Sequence, residues 1–149
     1  MQKTLKSITQ FYYYIYSATI LTTLGGYIVN MSRDVSYGPK DPLNITLSSL
    51  VILYMLISIP LALGLFFKMT KKWSLIEDEK IKYSAYEKGA KLRLLAIGIG
   101  LLASIIVFYI LRSNISLIYC AGIGAIALLF CKPTESKIYS DLSIEEPEE

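Results

Sequence analysis

The most polar run within an apolar stretch of this sequence is a set of hydroxyl side chains between residues 16 and 27. This polar face consists of Tyr16, Thr19, Thr22, Thr23 and Tyr27. Hydroxyl groups can bond between helices in a membrane, at roughly 0.6 kcal/mol each, or can line a path for an uncharged solute or a lipid headgroup. Helix-to-helix bonding is the default role, and a ligand would be sought here first.

The other side chains that could do chemistry are sparsely placed. The chain has no histidine, and Cys120 and Cys131 lie roughly 16 Å apart along one helix, too far for a disulfide. Glu77, Asp78 and Glu79 suit the start of a helix better than a hydrolase site, because the helix dipole favours negative charge there. The sequence therefore predicts no enzyme, no cofactor and no metal site.

Charge divides the chain into segments that suit a membrane. The sequence is 54% hydrophobic and 18% charged, a balance far from that of a soluble domain. Four stretches without Asp, Glu, Lys, Arg or His, at 7–32, 42–67, 94–111 and 113–131, reach spanning length. They place the spans at about 9–31, 46–67, 93–111 and 114–131. The absence of such groups from the four stretches disfavours ion-coupled transport. The first stretch is interpreted as a retained helix, because its apolar run is long and rich in tyrosine.

Basic residues are distributed unequally between the two sides. Twelve of the fifteen Lys and Arg residues flank the spans on one side, and only Arg33, Lys40 and Arg112 lie on the other. By the positive-inside rule, both termini and the second connection face the cytoplasm. We expect a multi-pass protein of the cell inner (plasma) membrane, surrounded by the lipid bilayer. Nucleic acid is not an expected partner, because the basic residues lie between apolar runs.

The connections predict how the spans pack. About two residues, Ser113 and Asn114, separate the last two spans, so helices three and four should form a tight hairpin. Ser74 and Glu77 form a capping-box pattern, which predicts a helix from about Leu75 that continues into helix three as a cytoplasmic extension. The predicted fold class is an all-α membrane protein with a four-transmembrane-helix bundle.

Small residues recur at a spacing of four, which lets membrane helices approach closely. The candidate packing residues are Ala96, Gly100 and Ser104 in helix three and Cys120 and Gly124 in helix four, where Ala121 and Ala125 repeat the spacing. We expect close contact between these two helices.

Residues 1–132 form the predicted transmembrane domain, and 133–149 an acidic, flexible cytoplasmic tail. Apolar residues in that tail, such as Ile138 and Leu142, could instead fold against a partner. The leading hypothesis is a non-enzymatic accessory or scaffold subunit of a membrane assembly, bound to a membrane-protein partner or to further copies of itself. The alternative is a small channel or transporter-like protein that handles an uncharged solute or a lipid. An enzyme of lipid metabolism ranks third.

Overall fold

The computed structural model describes residues 2–32, 37–38, 40–112 and 114–143. Helices account for 88% of these residues, so the all-α class is confirmed. The five helices within the described ranges are α1 (Gln2–Met31), α2 (Pro42–Ser74), α3 (Glu79–Leu111), α4 (Ser116–Phe130) and α5 (Glu135–Leu142). Residues 33–36 and 39 of the first connection, Ser113 of the predicted hairpin connection, and the tail from residue 144 lie outside the described residues.

Two helices, α2 and α3, are long and apolar enough to cross a membrane, which supports a membrane protein. At 15 residues, α4 spans about 22 Å, less than the ~30 Å hydrocarbon core. Together α4 and α5 reach the required length and composition, but a bend of 79° separates them. The 30 residues of α1 are long enough, yet the tyrosines and hydroxyls of this helix keep it below the apolar character of α2 and α3.

The connection between α2 and α3 is shorter than expected. The predicted helix start at about Leu75 is wrong, because α2 continues through Ser74, whose hydroxyl donates to the Lys71 carbonyl oxygen at 2.9 Å. The helix begins instead at Glu79, where the Asp78 carboxylate accepts from the Lys80 amide at 2.8 Å. From there α3 runs unbroken to Leu111, as predicted.

The bundle is built around α3, against which α1, α2 and α4 all pack. Leu94, Ile97 and Leu101 of α3 are almost completely buried and form the centre of the core. The core also includes Ile138 and Leu142 of α5, each 0% exposed. This differs from the predicted flexible tail: residues 135–142 form a helix that packs against α2.

Each end of the bundle joins segments that are distant in sequence. At one end the Ser7 hydroxyl of α1 donates to the Glu87 carboxylate of α3 at 2.7 Å. The N-terminal part of α1, the start of α3 and α5 meet there, and we call this the basic end. At the opposite end the Tyr37 amide donates to the Leu111 carbonyl oxygen at 3.3 Å. The first and third connections therefore share the opposite end.

Candidate functional site

The small residues of α3 and α4 surround a methionine from α2. A Cβ atom added at Gly100 would overlap the Met55 sulfur, and one added at Gly124 would lie 2.7 Å from the Met55 methyl carbon. Ser104 is completely buried, and its hydroxyl donates to the Gly100 carbonyl oxygen at 2.8 Å. The interior glycines therefore make room for the Met55 side chain.

This arrangement modifies the predicted contact between helices three and four. Gly124 does approach α3, since its added Cβ would lie 3.3 Å from that of Leu101. Gly100, in contrast, faces α2, and the Ala96 carbonyl oxygen accepts from the Tyr54 hydroxyl of α2 at 3.0 Å. Cys120 is half-buried. The small-residue spacing thus serves three helices: α3 and α4 contact each other, and the Met55 side chain of α2 fills the space beside Gly100 and Gly124.

The predicted polar face of α1 is divided between two clefts. Thr22 lines a cleft of about 320 Å³ between α1 and α3, beside Gly26, over which the Tyr109 ring packs. Thr19 and Thr23 line a different cleft. Tyr16 and Tyr27 are 45% and 58% exposed on the outer surface of α1. The structure therefore does not gather the five residues into one site.

The cleft that Thr19 and Thr23 line lies between α1 and α4, with α3 as its floor, and has a volume of about 420 Å³. We call it the α1–α4 cleft. Its α4 wall includes the small residues Ala121, Gly122 and Ala125. A Cβ atom at Gly122 would meet nothing within 4 Å, so this glycine faces open space. Small side chains lie on both sides of the cleft, so the backbone of another helix could approach closely.

The threonine hydroxyls in this cleft already donate hydrogen bonds within α1. Thr19 donates to the Ile15 carbonyl oxygen at 2.9 Å, and Thr23 donates to that of Thr19 at 2.8 Å. Each hydroxyl oxygen keeps lone pairs that can accept a further bond. The α1 wall thus offers acceptors and methyl groups.

The rim of the cleft continues as a stripe on α1. The outer stripe consists of Tyr13, Tyr16, Ile20, Thr23 and Tyr27, all exposed. Their alternating spacing of three and four residues is that of a seam between two packed helices. The polar face predicted from the sequence included Tyr16, Thr23 and Tyr27 of this stripe but not Tyr13 or Ile20, although the spacing is present in the sequence.

At the basic end an aromatic cluster attaches α5 to the bundle. Trp73 and Phe66 of α2 each make edge-on contacts with the Tyr86 ring, and the Tyr86 hydroxyl donates to the Asp141 carboxylate at 2.8 Å. Tyr86 precedes the predicted span at 93–111. Burial, with a further contribution from the Asp141 carboxylate, raises the pKa of Tyr86 above its ordinary value, so the phenol stays a donor at physiological pH. Nothing in the sequence paired these two residues.

Within the described ranges, no group of three His, Cys, Asp or Glu side chains is placed to hold a metal ion. Comparison of the chain with protein families, with curated proteins and with solved structures found no match.

Proposed function

We propose that this chain is a non-enzymatic integral membrane protein that serves as an accessory or scaffold subunit of a membrane assembly. In this proposal the α1–α4 cleft receives a transmembrane helix of a partner protein. The observation that carries it is the placement of Thr19, Thr23 and Gly122 in an open cleft bordered by an exposed helix-packing stripe. Small residues favour close approach of helix backbones, and close approach drives association in lipid.

A partner helix would also explain how α1 tolerates a membrane. Tyr16, Thr23 and Tyr27 lie on the exposed side of α1, where lipid tails offer no hydrogen bonds. A helix seated in the cleft would cover this side and could donate to the threonine oxygens. The two hydroxyls together would contribute on the order of 1 kcal/mol, so packing area would supply most of the binding energy.

The proposed topology is four crossings, with both termini on the cytoplasmic side of the inner membrane. It is supported by the two ends of the bundle: the segments that hold twelve of the fifteen basic residues meet at the basic end. The test uses a cysteine-free variant with one new cysteine, at Lys80→Cys or Lys40→Cys. A membrane-impermeant thiol reagent applied to intact cells should label the second and not the first. Labelling of Lys80→Cys from outside would refute the topology.

The docking proposal is tested by mild detergent extraction of the chain at its native level and mass spectrometry of what co-purifies. Gly122→Leu fills the cleft, whereas Gly64→Leu adds the same side chain on α2, where an added Cβ also meets nothing within 4 Å. A stoichiometric partner should be retained by the parent and by Gly64→Leu and lost from Gly122→Leu. Equal retention by both variants would reject the cleft as the docking site, and purification of the chain with no other protein would reject the accessory role.

A small channel or transporter-like protein for an uncharged solute or lipid is the second candidate. Its support is the cleft beside Thr22, which includes Asn30, whose side-chain oxygen is buried without a hydrogen-bond partner among the described residues. Flux into proteoliposomes separates the candidates. A channel through this cleft should change its flux when Thr22 is replaced by valine, whereas an accessory subunit should show no flux above empty vesicles in either form.

A further inference from the structure

A groove between α2 and α3 has a volume of about 600 Å³, more than either of the two clefts that α1 lines. Its α2 side is a continuous stripe from Leu50 to Met69, and its α3 side runs from Gly89 to Ala96. The lining is aliphatic and aromatic apart from two polar side chains, Ser58 and Arg93. The stripe on α2 extends about 28 Å at 1.5 Å per residue, close to the thickness of a bilayer core.

Arg93 lies at the end of this groove that is nearest the basic end. Its guanidinium carbon stacks 3.8 Å from the centre of the Phe66 ring, and its Nε atom is buried without a hydrogen-bond partner among the described residues. No carboxylate lies within ion-pair distance of Arg93 in the described part of the chain. A half-buried cation of this kind is costly unless an anion approaches it.

Two further features point in the same direction. The Ser58 hydroxyl, farther along the groove, is also buried without a partner among the described residues. Lys72 lies three residues beyond Met69 on the same face of α2. A second cation therefore lies just beyond the end of the groove where Arg93 is found. The groove is thus apolar along its length and positively charged where it meets the level of lipid headgroups.

We propose that this groove binds an anionic phospholipid, with an acyl chain along α2 and the phosphate at Arg93. The guanidinium supplies paired donors in a planar fork, which matches phosphate oxygens better than a point charge does. This inference goes beyond the accessory role, because the groove lies on α2 and α3, outside the α1–α4 cleft. In the sequence Arg93 is one of twelve flanking basic residues, and nothing there marks its contact with Phe66, which lies 27 positions away.

The test is native mass spectrometry of the full chain in a neutral detergent with phosphatidylglycerol or phosphatidylcholine of identical acyl chains. The parent should retain phosphatidylglycerol at least about tenfold better than phosphatidylcholine. Arg93→Gln should abolish this preference, Arg93→Lys should retain part of it, and Lys132→Gln, which removes an exposed cation beside the same end, should leave it within about twofold. Neutral micelles remove the general attraction of basic residues to an anionic surface.

Ile57→Trp guards against the case in which Arg93→Gln fails to fold. Ile57 lines the groove and is 50% exposed, so the larger side chain crowds the groove while Arg93 stays in place, and it should reduce retention of both lipids without a change in the thermal unfolding midpoint. Equal retention of the two lipids by the parent would overturn the proposal. So would a phosphatidylglycerol preference that survives Arg93→Gln, or a second protein chain found in the groove by crosslinking from Leu61→Cys.

Discussion

Met55 of α2 lies against Gly100 of α3, in the space that a side chain at position 100 would take. Met55 is 4% exposed, and the Tyr54 ring flanks the same position at 3.0 Å, so the methionine has little room to move away. Gly100→Val should therefore lower the free energy of unfolding by about 1–3 kcal/mol, the usual cost of overpacking a core. The measurement is an unfolding titration in mixed detergent, followed by the fluorescence of Trp73, the one tryptophan in the chain.

Gly64→Val is the control for this prediction. An added Cβ at Gly64 meets nothing within 4 Å, so the same change should shift the free energy of unfolding by no more than about 0.5 kcal/mol. Met55→Ala combined with Gly100→Val should cost less than the sum of the two single changes, because the smaller side chain relieves the overlap. Strict additivity would show that the two residues do not touch.

A polar network joins α2 to the start of α4 at the opposite end of the bundle. The Asn114 amide donates to the Ser48 hydroxyl at 2.7 Å, and Ser48, which is 4% exposed, donates to the Asn44 side-chain oxygen at 3.1 Å. Asn114→Ala should lower the free energy of unfolding by about 1–3 kcal/mol, because the buried Ser48 hydroxyl loses the hydrogen bond that it accepts from Asn114. Ser48→Ala with Asn114→Ala should show a coupling of at least ~0.6 kcal/mol in a double-mutant cycle.

Thr46→Ala provides the comparison for the network. The Thr46 hydroxyl is exposed and donates only to the Pro42 carbonyl oxygen of its own helix, so its loss should be close to neutral. If Thr46→Ala and Asn114→Ala cost the same, the network contributes nothing to joining the helices.

The unbroken course of α3 up to Leu111 could be read from the sequence, but the point where the helix begins could not. No proline interrupts residues 79–111, and the run has apolar character throughout its second half. Ser74 and Asp78 are both suitable caps, and sequence alone favoured the first. The structure uses the second because Trp73 packs over Gly89 and beside Tyr86, and this contact between distant residues stabilises the last turn of α2.

The packing of α5 and the partners of the small residues could not be predicted either, because both depend on contacts between residues that are distant in sequence. Ile138 and Leu142 have the spacing of one helix face, but the acidic residues that follow dominate the composition of the tail. Small-residue spacing shows that a helix meets a neighbour and does not say which one. Met55 is neither small nor polar, so no pattern marked it as the residue that fits between Gly100 and Gly124.

The bond between Tyr86 and Asp141 predicts how firmly α5 is held. Tyr86→Phe keeps the ring contacts and removes the bond, which should make backbone amide exchange over 135–142 faster by about fivefold, equivalent to about 1 kcal/mol. Tyr83→Phe removes a hydroxyl from a ring that packs against the same cluster and should leave this exchange unchanged. Equal exchange in both variants would mean that apolar packing alone holds α5.

Cys131 reports whether α5 covers the core at the basic end. The thiol is 1% exposed and shares one cluster with Ile138 and Leu142, which are fully buried. In a Cys120→Ala background, Cys131 should react slowly with a maleimide, and Ile138→Ala should accelerate the reaction because the truncated side chain loosens α5. Ser136→Ala, at an exposed position of the same helix, should leave the rate unchanged. A parent protein whose Cys131 reacts as fast as in detergent-unfolded chain would show that α5 does not cover this part of the core.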